Sequence, residues 1–191
     1  MIVHLTGSAQ NMKEDIPFLR RIIRTLHQND AVIARDWVEV AFLHHVVKKL
    51  PDESVDWRPI MDANLEAISR SEIVIVEGTS YTFSQGFQVA VALQHKKPVL
   101  LLSRTPFKAR TISGYRNRFL RMEEYTTEDE VAKIVEEFVK ENTVSTKDLR
   151  FNMFIDRQIY GYLRSESLET GKNKSEIIRD LIMREIGKKG D

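Results

Sequence analysis

The chain has 191 residues, with 29 Lys+Arg against 28 Asp+Glu, five His, no Cys and 42% hydrophobic content. That length permits one ordinary domain, or a medium one with a small appendage, and it buries a sizeable core without disulfides or metals. The absence of cysteine excludes disulfides, a thiolate nucleophile and a Cys-based zinc site, and the near-neutral sum excludes a wholesale polybasic or polyacidic protein.

The opening MIVHLTGS is strand-like rather than a charged segment ahead of a long apolar run, so no signal peptide is visible. Residues 2–5 (IVHL), 31–34 (AVIA), 73–76 (IVIV) and 98–102 (PVLLL) read as short buried strands. All fall well below the roughly 18 apolar residues of a membrane span, so the expectation is a soluble, cytoplasmic protein with no membrane contact. Between the strands, Phe18, Leu19, Ile22, Ile23 and Leu26 recur at helical spacing, as do Val38, Phe42, Val46, Val47 and Leu50. A third helix is predicted over 60–71 and a fourth from Gln85 to His95. From Lys96 to Arg121 there are eight Lys/Arg and no acid, which reads as a solvated loop or a phosphate-attracting face. Thr127 and Glu130 then stand in capping-box spacing ahead of a helix with Val131, Ile134, Val135 and Phe138 on one face. This alternation predicts an α/β fold with a doubly wound, flavodoxin- or Rossmann-like parallel sheet. Ligands of such sheets sit at the carboxyl ends of the strands, which directs attention to Thr6–Asp15, Arg35–Trp37 and Glu77–Gln88.

The expected division is a domain over 1–141, a polar linker over 142–147 and a small unit over 148–191. In the last, LRFNMFI reads as one strand, Asp156 is placed to cap a helix that Gly171 ends, and Ser175 is placed to cap a second, Ile-rich helix. One strand and two helices cannot close a core alone, so a homodimer or higher homo-oligomer is expected. The pattern RFNMFID, helix, LETGKNKSEIIRDLIMREI resembles the ribbon-helix-helix fold of Arc/MetJ-type repressors over Leu149–Ile186. The resemblance implies a two-chain β-ribbon in the major groove, with Phe151, Met153 and Ile155 toward the helices and Arg150, Asn152 and Phe154 toward the bases. Lys172, Lys174 and the amides at the start of the Ser175 helix would hold phosphates. A dimerisation-only role competes with this, because residues 148–191 carry nine basic against eight acidic side chains and Phe154 is an unusual solvent-facing choice.

Four stretches of the first domain carry a second resemblance: LTGSAQNMKED, MDANLEAISRSE, IVIVEGTS and YTFSQGFQVAVALQHKKPVLLL. They are similar to the nucleoside 2-deoxyribosyltransferase family, and most closely to its 2'-deoxynucleoside 5'-phosphate N-hydrolase branch. The resemblance implies a site for a nucleoside, nucleotide or related ligand. There a glutamate attacks the anomeric carbon, an aspartate on the preceding helix assists proton transfer, and the first loop binds the 5' end. Those two positions here hold Gln88 and Asn64, and the loop's arginine position holds Gln10, for which Lys13 or Arg35 could substitute. An amide is neutral and a poor nucleophile.

The acidic position of the third strand survives as Glu77, expected near the pocket, whereas Asp62 and Glu66 flank Asn64 at a spacing that turns them away. The candidate ligand set is therefore Gly7, Ser8, Gln10, Trp37, Asn64, Glu77, Ser84, Gly86 and Gln88. Trp37 is read equally as a stacking surface for a base or as ordinary packing. The adjacent His44 and His45 point apart, the other histidines are scattered, and neither a metal site nor a nucleotide-cofactor motif is indicated. The combined expectation is a DNA-binding transcriptional regulator whose sensor domain binds a nucleoside or nucleotide without catalysis. The alternative is an active nucleoside or nucleotide N-glycosidase or deoxyribosyltransferase whose C-terminal unit only oligomerises.

Overall fold

The structure, a computed structural model, describes residues 1–107, 111–143 and 155–188, the side chains of 186 and 187 excepted. The chain divides into two compact units, Met1–Ser145 and Thr146–Asp191.

The first unit is a five-stranded sheet in the order β2-β1-β3-β4-β5, with every neighbouring pair parallel. Its strands are β1 (Ile2–Thr6), β2 (Val32–Ile33), β3 (Ile73–Glu77), β4 (Val99–Ser103) and β5 (Leu120–Glu124). The helices are α1 (Met12–Gln28), α2 (Val38–Phe42), α3 (Trp57–Arg70), α4 (Phe83–Gln94) and α5 (Glu128–Asn142). β3 and β4 are buried at every position, as continuous apolar runs in a two-sided parallel sheet require.

Period-two alternation sorts the strand side chains onto two faces. Val3, Leu5, Ile73, Ile75, Leu100 and Leu102 pack with α1 and α5. Val74, Val76, Val99 and Leu101 pack with Ile68 of α3 and with Val89 and Ala92 of α4. Gly78, just past β3, is needed for close approach: a Cβ there would stand 2.9 Å from Leu101 Cδ1 and 3.3 Å from the Leu102 carbonyl.

Three features differ from the sequence reading. The basic stretch ends in a strand, β5, whose charges hid it: Arg121 and Glu123 alternate with Leu120 and Met122, which pack on the core. Arg121 pairs with Glu123, Glu137 and Glu141 at 2.8, 3.7 and 2.9 Å, tying the edge strand to α5. The helix expected to run from Val38 to Leu50 is α-helical only to Phe42 and continues as a π-helical turn over Leu43–Val47. The third helix starts earlier than expected, at Trp57, where Asp56 caps it by accepting from the Arg58 amide at 3.1 Å.

The second unit shows α6 (Arg157–Thr170) and α7 (Lys174–Lys188). Asp156 caps α6, and Gly171 ends it in the left-handed conformation (φ 70°) that glycine adopts without strain. The cap of α7 is Asn173, not Ser175: Asn173 Oδ1 accepts from the Glu176 amide at 3.0 Å, and Glu176 returns a bond to the Asn173 amide at 2.9 Å. An Asn followed three residues on by Glu satisfies two terminal amides reciprocally, which a cap at Ser175 would not. Of the expected ribbon strand, Arg150, Asn152 and Phe154 lie outside the described residues.

Both helices that flank the candidate site from the carboxyl side of a strand carry full capping boxes, Thr82/Gln85 on α4 and Thr127/Glu130 on α5. Replacing Thr82 by Ala should lower stability by about 1 kcal/mol in urea denaturation, and no loss would mean that the box contributes nothing to α4.

Candidate functional site

Two polar clusters stand at the carboxyl half of the sheet, one on each face. On the α1–α5 face the centre is Glu77, the last residue of β3 and 1% exposed. Its Oε1 accepts from the Tyr125 hydroxyl at 2.8 Å, from the Thr79 amide at 3.2 Å and from the Thr79 hydroxyl. Its Oε2 is buried and has no hydrogen-bond partner among the described residues. Burial, reinforced by the charge on Glu77, pushes the Tyr125 hydroxyl upward, so it remains a donor.

Asp15, from the first turn of α1, is also 1% exposed. It pairs with the Arg104 guanidinium and accepts from Ser80 Oγ at 3.3 Å, while Ser80 accepts from Asn11 Nδ2 at 2.8 Å. Arg104 follows β4, its amide donates to Thr79 Oγ1 at 2.9 Å, and its guanidinium lies 4.5 Å over the Phe18 ring. Burial, then the neighbouring Glu77 charge, raises the Asp15 carboxyl to about 6 against the opposing pull of Arg104.

On the α3–α4 face the centre is His4 of β1, fully buried. Its Nε2 stands 2.9 Å from Gln88 Oε1, and its Nδ1 is buried without a hydrogen-bond partner among the described residues. Burial holds the imidazole below its ordinary value, so the neutral ring donates from Nε2 to the amide oxygen. Beside it, Arg35 Nη1 donates to Asn64 Oδ1 at 2.5 Å. Asn64 and Gln88 are 9% and 3% exposed, whereas Asp62 and Glu66 on the same helix as Asn64 are exposed.

The structure thus brings Asn64 and Gln88 to one face and sends Glu77, expected beside them, to the other. Residue 77 lies in odd register with Ile73 and Ile75, so its side chain joins α1 and α5. Trp37 donates from Nε1 to the Leu5 carbonyl at 2.9 Å, and its ring atoms stand 3.3 Å from where a Cβ on Gly7 would sit. Its indole is packed on the first loop, and Gly7 is the residue that leaves room for it. Ser8 is buried and accepts from the Gln10 amide at 3.1 Å, while Gln10, Ser84 and Gly86 are exposed. A separate cavity of about 440 Å³ lies beside α4, with Gly78, Tyr81, Gln85, Val89, Leu101 and Ile112 in its wall. Gly86 lines it and Gln88 does not.

Sequence reasoning missed His4, Asp15, Arg104 and Tyr125. The visible signal for His4 was a polar residue inside an apolar strand; Asp15 sat in a loop already singled out. Arg104 and Tyr125 carried no signal beyond following β4 and β5. Among the described residues no group of His, Asp and Glu is arranged to hold a metal ion, and no helix is long and apolar enough to cross a membrane.

No family model matches the chain. The 5-hydroxymethyl-dUMP N-hydrolase of Danio rerio is 23% identical over 146 residues, covering 72% of this chain and 95% of that enzyme. The structure of Clostridium botulinum CMP N-glycosidase, BcmB, matches with a TM-score of 0.48 at 13% identity, over 72% of this chain and 99% of that one. The N-terminal region therefore resembles nucleoside 2-deoxyribosyltransferase-like N-glycosidases, in a mixed α/β fold with an all-parallel sheet.

The expectation of a DNA-binding regulator with an inactive sensor is overturned. The relative is a nucleotide hydrolase matched along nearly its whole length, and no finding supports DNA as a partner. Two of the residues expected to hold phosphates are engaged inside their own unit: Lys172 pairs with Asp180 at 2.8 Å, and Lys174 lies 4.2 Å from the centre of the Tyr160 ring. Ser175 lies inside the first turn of α7.

Two predictions follow from the clusters. Because the Asp15 carboxyl is raised in the folded chain, the folded state keeps a proton that the unfolded state releases. The associated stability is complete below about pH 4 and is lost as pH rises past about 6, a decline on the order of 2–3 kcal/mol. Asp15→Asn should flatten that decline in urea denaturation at stepped pH. The unpaired Arg104 adds only a pH-independent offset, and parallel curves for variant and wild type would refute the assignment. Separately, Gln88→Glu places a carboxylate against His4 Nε2 and should raise the His4 titration by about one pH unit or more in NMR. An unmoved His4 resonance would mean that the two side chains are not partners.

Proposed function

We propose that the unit Met1–Ser145 is a nucleotide N-glycosidase: it binds a nucleotide at the carboxyl end of the sheet and hydrolyses the bond between sugar and base. The observation that carries this reading is the similarity to a nucleotide N-hydrolase along 95% of that enzyme's length. The buried carboxylates of the α1–α5 face supply its chemistry. With Asn64 and Gln88 neutral, no carboxylate at those positions is available to form a glycosyl intermediate, which favours direct attack by water over transfer to a second base. Water adds to the anomeric carbon as the C–N bond breaks, the departing base takes the Asp15 proton, and the proton lost by the water restores it. Asp15, raised to about 6, is matched to giving that proton near neutral pH. The Arg104 side chain, 22% exposed against 1% for Asp15, lies between that carboxyl and solvent as its ion-pair partner. The C-terminal unit serves self-association in this reading, supported by the exposed Ile159, Tyr162, Leu168, Ile182 and Met183 on its two helices.

The test is chromatographic detection of free base after incubating the full chain with ribo- and deoxynucleosides and their 5'-monophosphates. Wild type should release base from at least one monophosphate, and Asp15→Asn should be slower by about a hundredfold or more. Release from none of them, or equal rates for wild type and Asp15→Asn, overturns the reading.

A further inference from the structure

The polar cluster of the α3–α4 face, His4, Arg35, Asn64 and Gln88, contains no carboxylate. Asn64 and Gln88 each direct the amide oxygen at a protein donor. For Asn64 the orientation is unambiguous, because a guanidinium only donates. For Gln88 the partner is the Nε2 of a buried, neutral His4. What each amide has left to offer is its NH2 group. Arg35 stands among them partly buried, and among the described residues it has no carboxylate within ion-pair distance. Burial holds its guanidinium below the ordinary value, as expected for a cation that has lost water without gaining a counter-charge. An unpaired cation in such surroundings is costly unless an anion completes it.

We infer that Arg35, with the NH2 groups of Asn64 and Gln88, forms an anion-binding subsite that takes the phosphate of the nucleotide substrate. The chemistry is the N–H donors of Arg35, Asn64 and Gln88 with one fixed positive charge on one face of the sheet, and no carboxylate among the three side chains. Asn64→Asp or Gln88→Glu would install one. His4 is a positioning residue here: it acts through Gln88 by holding the amide oxygen inward. The exposed Lys13 of the first loop has no such converging partners.

The inference rests on the nucleotide reading above, and the experiment separates the two. Calorimetric titration of the full chain compares 5'-monophosphates with the matching nucleosides and with inorganic phosphate, while base release is followed in parallel. Monophosphates should bind at least about tenfold more tightly than nucleosides. Arg35→Gln should remove that advantage, Gln88→Glu should weaken monophosphate binding, and Lys13→Gln should leave it intact. Thermal unfolding of each variant identifies any that fail to fold, and for those Arg35→Lys is the substitute. The subsite is overturned if monophosphates and nucleosides bind alike, or if Lys13→Gln rather than Arg35→Gln removes the difference. Base release without phosphate preference would overturn the subsite alone. Arg35-dependent phosphate binding without base release would uphold the subsite and overturn the hydrolase reading.

Discussion

Burial of the central strands on both faces is the constraint from which the rest of this unit follows. Apart from Ile2 at the start of β1, the side chains of β1, β3 and β4 are buried in one of two helical layers, so any polar group there must be met from a helix or a loop. His4 and Glu77 are the two titratable side chains in those strands, and they point to opposite faces. Each has gathered a cluster: Gln88 and, nearby, Asn64 and Arg35 around one; Tyr125, Thr79 and the Asp15–Arg104 pair around the other. Each also keeps one buried atom without a hydrogen-bond partner among the described residues, His4 Nδ1 and Glu77 Oε2. Those two atoms mark where the protein's own hydrogen bonding stops at the carboxyl half of the sheet.

The faces differ in electrostatic character. The Glu77 side holds two buried carboxylates against one guanidinium, and burial, then the Glu77 charge, keeps Asp15 protonated to a higher pH. The His4 side holds a guanidinium, a neutral imidazole and two amides. The sheet thus separates an acid-rich cluster on one face from a cluster without carboxylates on the other.

Much of the fold was legible because its signals are local. Four apolar runs gave β1 through β4, and Thr127 with Glu130 gave the start of α5 before any contact was known. What failed were elements whose identity depends on distant neighbours. β5 reads as charge until Glu137 and Glu141 of α5 are seen to absorb Arg121. The π-helical turn at Leu43–Val47 has no counterpart in the spacing of apolar residues. In the site, Asn64 and Gln88 were found by pattern, yet their orientation depends on His4 and Arg35, which come from 84 and 29 residues away in sequence. Glu77 was expected near the pocket at the end of the third strand, and the face it joins depends on register, where a shift of one residue reverses the side.

The ion pairs of Arg121 also govern how this sheet meets other molecules. An exposed edge strand is a template for further strands, and a parallel sheet has two such edges. At one end β5 carries Arg121 clamped by three carboxylates, so an incoming strand would have to lie against a charged, side-chain-covered border. At the other end β2 is two residues long and offers almost no ladder to extend. A short strand at one margin and a charged one at the other both make strand addition less favourable. Val40, Leu43 and Val47 are exposed on α2 and the turn that continues it, and Phe83 and Phe87 are exposed on α4, so helical surfaces of this unit offer apolar contact.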